Sequence, residues 1–188
     1  MRVFVTGATG FIGSAIVKEL MNAGHQVLGL TRSDAGARSL IAAGAQVHRG
    51  DLEDLESLRS GAAASEGVIH TAFIHDFSIY AQAAETDRLA IEALGNELVD
   101  SGKPFVVTSG TMMLPRGSLA TEEMLPDMAN PMTSLRGRNE AVALAFASRG
   151  VRVSIVRLPP VRASSISLFH HTHHLCRPSM ARMIRASP

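Results

Sequence analysis

The sequence has little of what secreted and membrane proteins need. A single cysteine, Cys176, cannot form a disulfide within the chain, and no apolar run approaches the roughly 20 residues that span a bilayer. The apolar stretch that follows Arg2 is interrupted by glycines, which is untypical of a signal peptide. These absences exclude a disulfide framework and a membrane partner, and they predict a cytoplasmic protein.

A strong excess of basic residues is also missing. Lys and Arg number 18 and Asp and Glu 17, which gives a formal net charge of +1. Proteins that bind nucleic acids usually concentrate positive charge, so we expect no nucleic-acid partner. The balance changes only near the end of the sequence, where residues 151–188 hold six arginines and no carboxylate.

The first 160 residues alternate short β-branched segments with longer amphipathic ones. This alternation is typical of strands that feed crossover helices in a parallel sheet, so it predicts an α/β fold with a doubly wound parallel sheet and helices on both faces. Four glycines mark the predicted helix ends: Gly24, Gly44, Gly102 and Gly150. The predicted strands are 2–6, 26–31, 46–49, 67–71, 105–109 and 152–156. The predicted helices are 12–23, 35–43, 55–63, 77–101 and 134–149.

The alternation ends at Pro159-Pro160. Residues 161–188 follow neither the helix nor the strand period, so we expect one domain of residues 1–160 and a largely irregular tail of residues 161–188. The tail offers metal donors, but their spacing fits no metal motif and no second pair of ligands precedes them, so we expect no metal site. These donors are His170, His171, His173, His174 and Cys176.

A glycine-rich segment lies where the first predicted strand meets the first predicted helix: Thr6-Gly7-Ala8-Thr9-Gly10-Phe11-Ile12-Gly13. In such a turn Gly7 permits the tight bend, Gly10 lets the backbone approach a pyrophosphate, and Gly13 lets the helix pack closely on the strand. The helix N-terminus then offers free amides to the phosphates. The segment predicts a dinucleotide site; the alternative is a glycine turn that serves packing only.

Together with further motifs, this segment resembles the extended short-chain dehydrogenase/reductase superfamily, in its NAD-dependent epimerase/dehydratase group. The matching motifs are Gly50-Asp51-Leu52, Ile69-His70-Thr71-Ala72, Thr108-Ser109 and Arg157-Leu158-Pro159-Pro160. The resemblance runs from Arg2 to about Pro160 and implies a Rossmann fold that binds NAD(P). By this resemblance and the position of the second strand, the cofactor-binding residues are Gly7, Thr9, Gly10, Phe11, Ile12, Gly13, Arg32, Ser33, Asp51, Leu52, Thr71, Ala72, Thr108 and Pro159.

Three of these motif residues have specific expectations. Asp51 borders the adenine by the resemblance, and it is also placed to cap the next helix. His70 lies in a mostly apolar run, so we interpret it as a packed strand residue and not as a catalyst. Pro159 lies near the nicotinamide by the resemblance.

The residues after the second strand decide between the two nicotinamide cofactors. An arginine there pairs with the 2′-phosphate of NADP, whereas an acidic residue binds the ribose hydroxyl of NAD. Arg32 and Ser33 follow this strand, which favours NADP. Asp34 lies close enough to keep NAD as the alternative.

The catalytic pattern of the superfamily is altered. Its enzymes usually carry a tyrosine with a lysine four residues later, and the lysine lowers the pKa of the tyrosine for proton transfer. The only tyrosine here, Tyr80, lies in another segment, and the alignment places Arg136 at the tyrosine position and Glu140 at the lysine position. Arg136 either pairs with Glu140 on one helix face, the interpretation we favour, or lies in the cleft and stabilises an oxyanion.

The usual catalytic hydroxyl is displaced as well. Its position aligns with Gly110, which is flanked by Ser109 and Thr111. Either hydroxyl is able to polarise a substrate carbonyl, so the catalytic candidates are Ser109, Thr111 and Arg136.

The resemblance implies an NAD(P)-dependent oxidoreductase or epimerase-like protein that acts on a small carbonyl, sugar-nucleotide or sterol-like molecule. Because the Tyr-Lys pair is missing, a non-catalytic sensor that binds NAD(P) is one alternative. The superfamily normally continues past the sixth strand into a substrate-binding portion, so an inactive fragment, truncated or frame-shifted after residue 160, is another. The long helices 77–101 and 134–149 resemble the dimer-forming pair of the superfamily, which predicts a homodimer.

Overall fold

The computed structural model describes residues 1–117 and 119–160, together with the backbone of a strand at residues 182–185. Its helices and strands, in chain order, are β1 (Arg2–Thr6), α1 (Phe11–Asn22), β2 (Gln26–Thr31), α2 (Asp34–Ala42), β3 (Gln46–Arg49), α3 (Leu55–Ala63), β4 (Gly67–His70), α4 (Tyr80–Glu97), β5 (Pro104–Gly110), α5 (Pro131–Ala145), β6 (Arg152–Leu158) and β7 (Arg182–Arg185). Short 3₁₀ helices lie at Phe77–Ile79, Thr111–Met113 and Phe146–Arg149.

The strands form one sheet in the order β3-β2-β1-β4-β5-β6-β7. The first six strands are parallel, and β7 runs antiparallel to β6. The strand order reverses between β1 and β4, and ligands of such sheets bind in the crevice beyond the carboxyl ends of the strands at this reversal. The predicted doubly wound parallel sheet is confirmed.

The antiparallel strand β7 is a short regular element of the tail. It lies within residues 161–188, which we expected to be largely irregular, and it pairs Ile184 with Ile155 of β6. Four residues are too few to show a period of two, and the hydrogen bonds of the ladder depend on a partner strand far away in the sequence. The histidines of the tail and Cys176 lie outside the described residues.

Two helices differ from their predicted bounds for identifiable reasons. The prediction of one helix over 77–101 is wrong at both ends, because a 3₁₀ turn precedes α4 and the helix ends at Glu97. Helix α5 begins at Pro131, three residues before the predicted start, because the Asn130 side chain accepts a hydrogen bond from the Met132 amide and proline fits the first helical position. The four glycines predicted to end helices all have positive φ, between 63° and 80°.

The core lies on both faces of the sheet, which is why the strands are apolar on both sides. One face packs against α3, α4 and α5 around Phe4, Leu58, Ile91, Phe105 and Ile155, each fully buried. The other face packs against α1 and α2, around Val5, Val17, Val27 and Leu40. Within the described part of the chain, no helix is long and apolar enough to cross a membrane.

Candidate functional site

The glycine turn between β1 and α1 has almost no room for side chains. Gly7 has φ +66°, and a Cβ added to it would lie 2.7 Å from Thr71 Oγ1. A Cβ on Gly13 would lie 2.0 Å from the carbonyl oxygen of Gly7, so the first turn of α1 packs directly on the backbone of the bend. A Cβ on Gly10 would approach only that same oxygen, at 3.2 Å. Packing thus requires glycine at positions 7 and 13, whereas the exposed Gly10 keeps the backbone open to a ligand.

The N-terminus of α1 has no side-chain cap, a feature that it shares with α4 among the helices that start at this edge of the sheet. The side chains of Ser33, Asp54 and Asn130 cap α2, α3 and α5, but no side chain caps α1 and its first turn holds no acidic residue. The first amides of a helix lack partners within it and carry partial positive charge. The neighbouring Phe11 is 57% exposed. The turn therefore presents uncapped amides to the crevice, an arrangement that suits a pyrophosphate.

The buried hydroxyl of Thr6 fixes the end of β4 to this turn. Thr6 Oγ1 accepts hydrogen bonds from the amides of Thr71, at 3.2 Å, and Ala72, at 3.3 Å. The Thr71 hydroxyl in turn donates to the Thr6 carbonyl oxygen at 2.7 Å. The predicted cofactor residues Thr71 and Ala72 are thereby held beside Gly7.

A buried polar network continues from Thr6 toward α5. His70 Nδ1 lies 2.8 Å from Thr6 Oγ1, and His70 Nε2 lies 3.1 Å from Asp87 Oδ1. Asn139 Nδ2 donates to Asp87 Oδ2 at 2.7 Å and to the Ala84 carbonyl oxygen at 2.8 Å. Because Thr6 Oγ1 already accepts two hydrogen bonds, its proton goes to His70 Nδ1, and the imidazole proton on Nε2 goes to Asp87. We call Thr6, His70, Asp87 and Asn139 the buried network.

The network confirms that His70 is a packed strand residue, since it is 1% exposed and bonded at both ring nitrogens. Sequence reasoning did not find Asp87 or Asn139. The sequence does hold a sign of them: a polar residue falls on the face of a helix that is otherwise apolar and buried. Asp87, between Ala84 and Ala90 on α4, is such a residue.

The residues after β2, predicted to bind the adenosine part of the cofactor, are exposed and polar. Arg32 is exposed and forms no ion pair with any described carboxylate. Ser33 accepts from the Gly36 amide at 3.0 Å, and the Asp34 carboxylate pairs with Arg49 at the end of β3. The arginine is thus free of a protein partner within the described chain, whereas the Asp34 carboxylate forms an exposed surface ion pair.

The capping role expected for Asp51 is wrong. Asp51 accepts from the amides of Glu53 and Asp54, at 2.9 and 3.1 Å, in the connection before α3. The cap itself is Asp54, which accepts from the Ser57 amide at 3.0 Å. The reason is that α3 begins at Leu55, so the half-buried Asp51 and Leu52 lie outside the helix, in the loop after β3.

The favoured pairing of Arg136 with Glu140 is also wrong. Arg136 donates from Nη2 to the Thr108 carbonyl oxygen at 3.3 Å, and its guanidinium carbon lies 4.0 Å from the centre of the Phe73 ring. Arg136 Nε is buried without a hydrogen-bond partner in the described chain. This half-buried cation therefore lies at the carboxyl ends of β4 and β5 with no described counter-ion.

Glu140 turns instead toward the sheet and forms a buried ion pair with Arg157 of β6. Arg157 Nε lies 3.1 Å from both carboxylate oxygens, Nη2 lies 2.6 Å from Oε2, and both side chains are 3% exposed. Arg157 Nη1 also donates to the Met124 carbonyl oxygen at 2.8 Å. The residue at the usual lysine position thus anchors the connection between β5 and α5 and has no free carboxylate for proton transfer.

The two candidate hydroxyls have different surroundings. Ser109 Oγ is buried without a partner among the described residues, and Ser109 lies near Arg136, Asn139 and Glu140 with no space for a water molecule between them. Thr111 is half-buried, and its hydroxyl donates to the Leu158 carbonyl oxygen at 3.5 Å. The structure therefore brings Ser109 and Arg136 together and turns the Thr111 side chain toward β6, where the exposed Pro159 follows.

Tyr80, which sequence reasoning set aside, lies at this same edge of the sheet. It begins α4, and its ring centre lies 6.1 Å from that of Phe73 and 6.1 Å from that of Phe77. Burial raises the pKa of the Tyr80 phenol; the Arg136 cation opposes this rise and the Asp87 carboxylate adds to it. Arg136 and Tyr80, from different helices, thus both contact Phe73.

The sequence model of the NAD dependent epimerase/dehydratase family matches residues 3–131. This range includes β1 except for Arg2, the glycine turn, and the whole of β4 and β5. The chain belongs to the NAD dependent epimerase/dehydratase family. The resemblance stated from the motifs is confirmed.

Similar proteins support the family and the fold. An uncharacterized protein of Schizosaccharomyces pombe is 50% identical over 161 residues, which are 85% of this chain and 54% of that protein. The solved structure of MoeE5 in complex with UDP-glucose and NAD has a TM-score of 0.69 at 29% identity, and it covers 84% of this chain and 54% of its own. The UDP-glucose 4-epimerase of Thermus thermophilus, in complex with NAD, has a TM-score of 0.68 at 27% identity with the same coverage. The chain spans about half the length of the relatives it matches.

The family match and the altered catalytic positions occupy different parts of the chain. All predicted cofactor residues except Pro159 lie within residues 3–131. Arg136 and Glu140, which the motif alignment places at the tyrosine and lysine positions, lie beyond this range in α5. The chemistry at α5 therefore has to be argued from its own side chains.

Proposed function

We propose that this chain binds a nicotinamide dinucleotide at the β1–β4 crevice and acts as an oxidoreductase on a small carbonyl compound. The glycine turn supports the first part, because its backbone is open at Gly10 and its helix amides are uncapped. The structures of MoeE5 and of the Thermus thermophilus epimerase are complexes with NAD, and the UDP-glucose 4-epimerase of Streptomyces lividans is 32% identical over 88 residues.

In this proposal different groups of site residues bind different parts of the cofactor. The turn from Gly7 to Gly13, with Thr9, Phe11 and Ile12, holds the pyrophosphate through backbone amides. Asp51 and Leu52 border the adenine, Thr71 and Ala72 follow the ribose and pyrophosphate, and Thr108 and Pro159 border the nicotinamide. When bound, the nicotinamide supplies or accepts the hydride, and the side chains of this chain orient the substrate and stabilise its charge.

We propose NADP as the preferred cofactor. Arg32 has no carboxylate partner within the described chain, so its guanidinium is available for a 2′-phosphate. Asp34, the residue that would favour NAD, is paired with Arg49. The 2′-phosphate would therefore meet a free cation, and Ser33 offers a hydroxyl beside it.

The observation that carries the catalytic part is the unpaired guanidinium of Arg136. A buried Nε without an acceptor, and a cation without a described counter-ion, are both costly unless a ligand completes the arrangement. A guanidinium keeps its proton, so Arg136 stabilises negative charge that develops on a substrate oxygen. We assign Ser109 and Thr111 to the wall of this site, with Ser109 as the nearer hydroxyl.

The alternative function is a sensor that binds NAD(P) without turnover. One observation favours it: Glu140, aligned with the lysine position, is held in an ion pair with Arg157. The two proposals agree on cofactor binding and differ on chemistry. Hydride transfer to a carbonyl compound, followed as loss of NADPH absorbance, is expected from the oxidoreductase and absent from the sensor.

Thermal-shift titration with NADPH and NADH tests the binding site common to both. A ligand at about a hundred times its Kd stabilises the folded state by about 2.7 kcal/mol. We expect NADPH to stabilise the chain more than NADH does. We expect Arg32→Gln to weaken the binding of NADPH and to leave the binding of NADH unchanged. The matched control is Arg38→Gln, an exposed arginine on α2. If neither cofactor stabilises the chain, the proposed function is wrong.

We also propose that the chain forms a homodimer through α4 and α5. These helices pack on each other, and a shallow depression near their C-terminal ends is lined by Glu92, Asn96, Val142, Ala145, Phe146 and Arg149. Sedimentation velocity over a range of concentrations tests this. A monomer at all concentrations would contradict it.

A further inference from the structure

Tyr80 has a phenol hydroxyl with no hydrogen-bond partner among the described residues, and it lies at the edge of the sheet where the reaction is proposed. We propose that Tyr80 is the group that exchanges a proton with the substrate oxygen, with Arg136 as the cation beside it. This inference rests on the proposed oxidoreductase function and assigns the step that the missing Tyr-Lys pair would otherwise perform.

The register of two helices supports the placement. Helices α4 and α5 each follow a parallel strand, so they run in the same direction. Asn139 of α5 contacts Ala84 and Asp87 of α4. Residues three or four apart share a helix face. One turn before Asn139 on that face of α5 is Arg136, and one turn before Ala84 on that face of α4 is Tyr80. The phenol and the guanidinium therefore lie at the same level of the crevice.

Phe73 provides a second, independent link. Its ring lies under the Arg136 guanidinium at 4.0 Å and beside the Tyr80 ring at 6.1 Å. Phe73 follows directly after Thr71 and Ala72, the β4 residues bonded to the Thr6 hydroxyl. The aromatic contact thus holds Tyr80 and Arg136 next to the segment that we assign to the cofactor ribose.

The charges around Tyr80 come from three elements. Arg136 of α5 favours the phenolate, and Asp87 of α4 disfavours it. His75 and Asp76 lie in the preceding loop and are exposed, with Asp76 bonded to Ser78. Burial raises the pKa of the phenol, so Arg136 is the group among these that opposes the rise. This is the role that the lysine has in the usual pair.

The proposed step balances in the reductive direction. The carbonyl carbon receives the hydride that reduced nicotinamide supplies, and the π electron pair moves to oxygen, so the C=O double bond becomes a C–O single bond. The Tyr80 O–H bond breaks and its proton binds that oxygen. The phenolate that remains is held by Arg136 and takes up a proton from solvent. In the oxidative direction the phenolate accepts the hydroxyl proton of the alcohol.

Titration of the phenol tests this inference without a known substrate. Tyr80 is the only tyrosine and the chain has no tryptophan, so the near-ultraviolet absorbance of the phenolate reports this residue alone. We expect Arg136→Met to raise the midpoint of the titration by about one pH unit, as loss of a nearby opposite charge does. We expect Arg138→Met, an exposed arginine on the same helix, to leave the midpoint unchanged. Saturation of the wild-type chain with NADP⁺ should also shift the midpoint.

The outcomes separate the two proposals. If NADPH fails to stabilise the chain in the thermal-shift titration, the proposed function fails and Tyr80 loses its role with it. If NADPH binds but the phenol responds neither to Arg136→Met nor to NADP⁺, the Tyr80 inference is wrong while the cofactor site stands. The measurement with NADP⁺ needs no variant, so misfolding of Arg136→Met does not remove the test.

A kinetic test completes the design. Among a panel of aromatic and aliphatic aldehydes, the one that wild type reduces fastest with NADPH serves as the probe. We expect Tyr80→Phe to lower kcat by about 10² to 10⁴-fold, the usual contribution of a positioned acid, with little change in the Kd of NADPH. A kcat equal to that of wild type would overturn the inference.

Discussion

The two ends of the crevice are built on different principles. At the glycine turn the ligand-facing atoms belong to the backbone, and the buried polar atoms of the network behind it are satisfied by one another. At the β5–α5 end the relevant atoms belong to side chains, and Ser109 Oγ and Arg136 Nε are buried without partners among the described residues. At the first end the network is satisfied within the fold and only the uncapped amides of α1 remain open, whereas at the second end buried side-chain atoms themselves lack partners.

This difference separates stability from chemistry. Polar groups that are bonded within the fold stabilise it, and their removal costs free energy. Buried polar groups without partners cost free energy in the folded state, so removing one leaves stability unchanged or raises it. Four substitutions test whether the two ends differ in this way.

The largest effect is expected at the Glu140–Arg157 pair. Glu140→Gln leaves the Arg157 cation buried without a counter-ion, so we expect the free energy of unfolding to fall by about 3 to 5 kcal/mol. Denaturant unfolding measures it. The matched control is Glu56→Gln, which removes an exposed partner of Arg59 and should change stability by less than about 1 kcal/mol. Equal losses in both variants would show that the buried pair is not structural.

The second effect concerns packing at the glycine turn. Gly13→Ala places a Cβ 2.0 Å from the Gly7 carbonyl oxygen, so we expect a loss of stability of about 3 kcal/mol and loss of NADPH binding. Gly10→Ala is the control within the same turn, because its Cβ meets one atom at 3.2 Å. We expect this control to weaken NADPH binding with a much smaller loss of stability. Full binding by Gly10→Ala would support a turn that serves packing only.

The third effect lies in the buried network. Thr6→Val keeps the shape of the side chain but leaves the amides of Thr71 and Ala72 and the Nδ1 atom of His70 without their partner. We expect the free energy of unfolding to fall by about 2 kcal/mol. Thr9→Val, at an exposed position of the same turn, should have almost no effect on stability. If Thr6→Val leaves the free energy of unfolding unchanged, water replaces the hydroxyl.

The smallest effect is the most informative about the reaction end. Ser109→Ala removes a buried hydroxyl without a partner, so we expect stability to stay within about 1 kcal/mol of wild type, or to rise. Ser57→Ala removes a buried hydroxyl that donates to the Asp54 carbonyl oxygen at 2.8 Å, and it should lose about 1 kcal/mol. A large loss for Ser109→Ala would place this residue with the structural end of the crevice.

The sequence predicts the first end of the crevice far better than the second. The glycine turn, the six parallel strands and the helix stops follow from local patterns, because turn geometry and strand alternation depend on neighbouring residues. The start of α5 could also have been predicted, since Asn130-Pro131 is a helix-start signal.

The partners of the charged residues could not be predicted in the same way. Spacing of four residues favoured a pair between Arg136 and Glu140, but the fold gives Glu140 a partner 17 residues away on β6. Tyr80 was set aside because it lies in the wrong segment, yet helix packing brings it to the same edge as Arg136. Such contacts depend on which helix faces meet, and a single sequence does not specify this locally.

The ends of the sheet have a consequence for how copies of the chain associate. Both edge strands, β3 and β7, are four residues long, and β3 ends in the charged residue Arg49. Short and charged edges are poor templates for another strand, so they disfavour open-ended strand pairing of the kind that leads to fibrils. The sheet edges thus leave the helical faces for the homodimer that we propose, and a twofold contact there closes on itself without propagating.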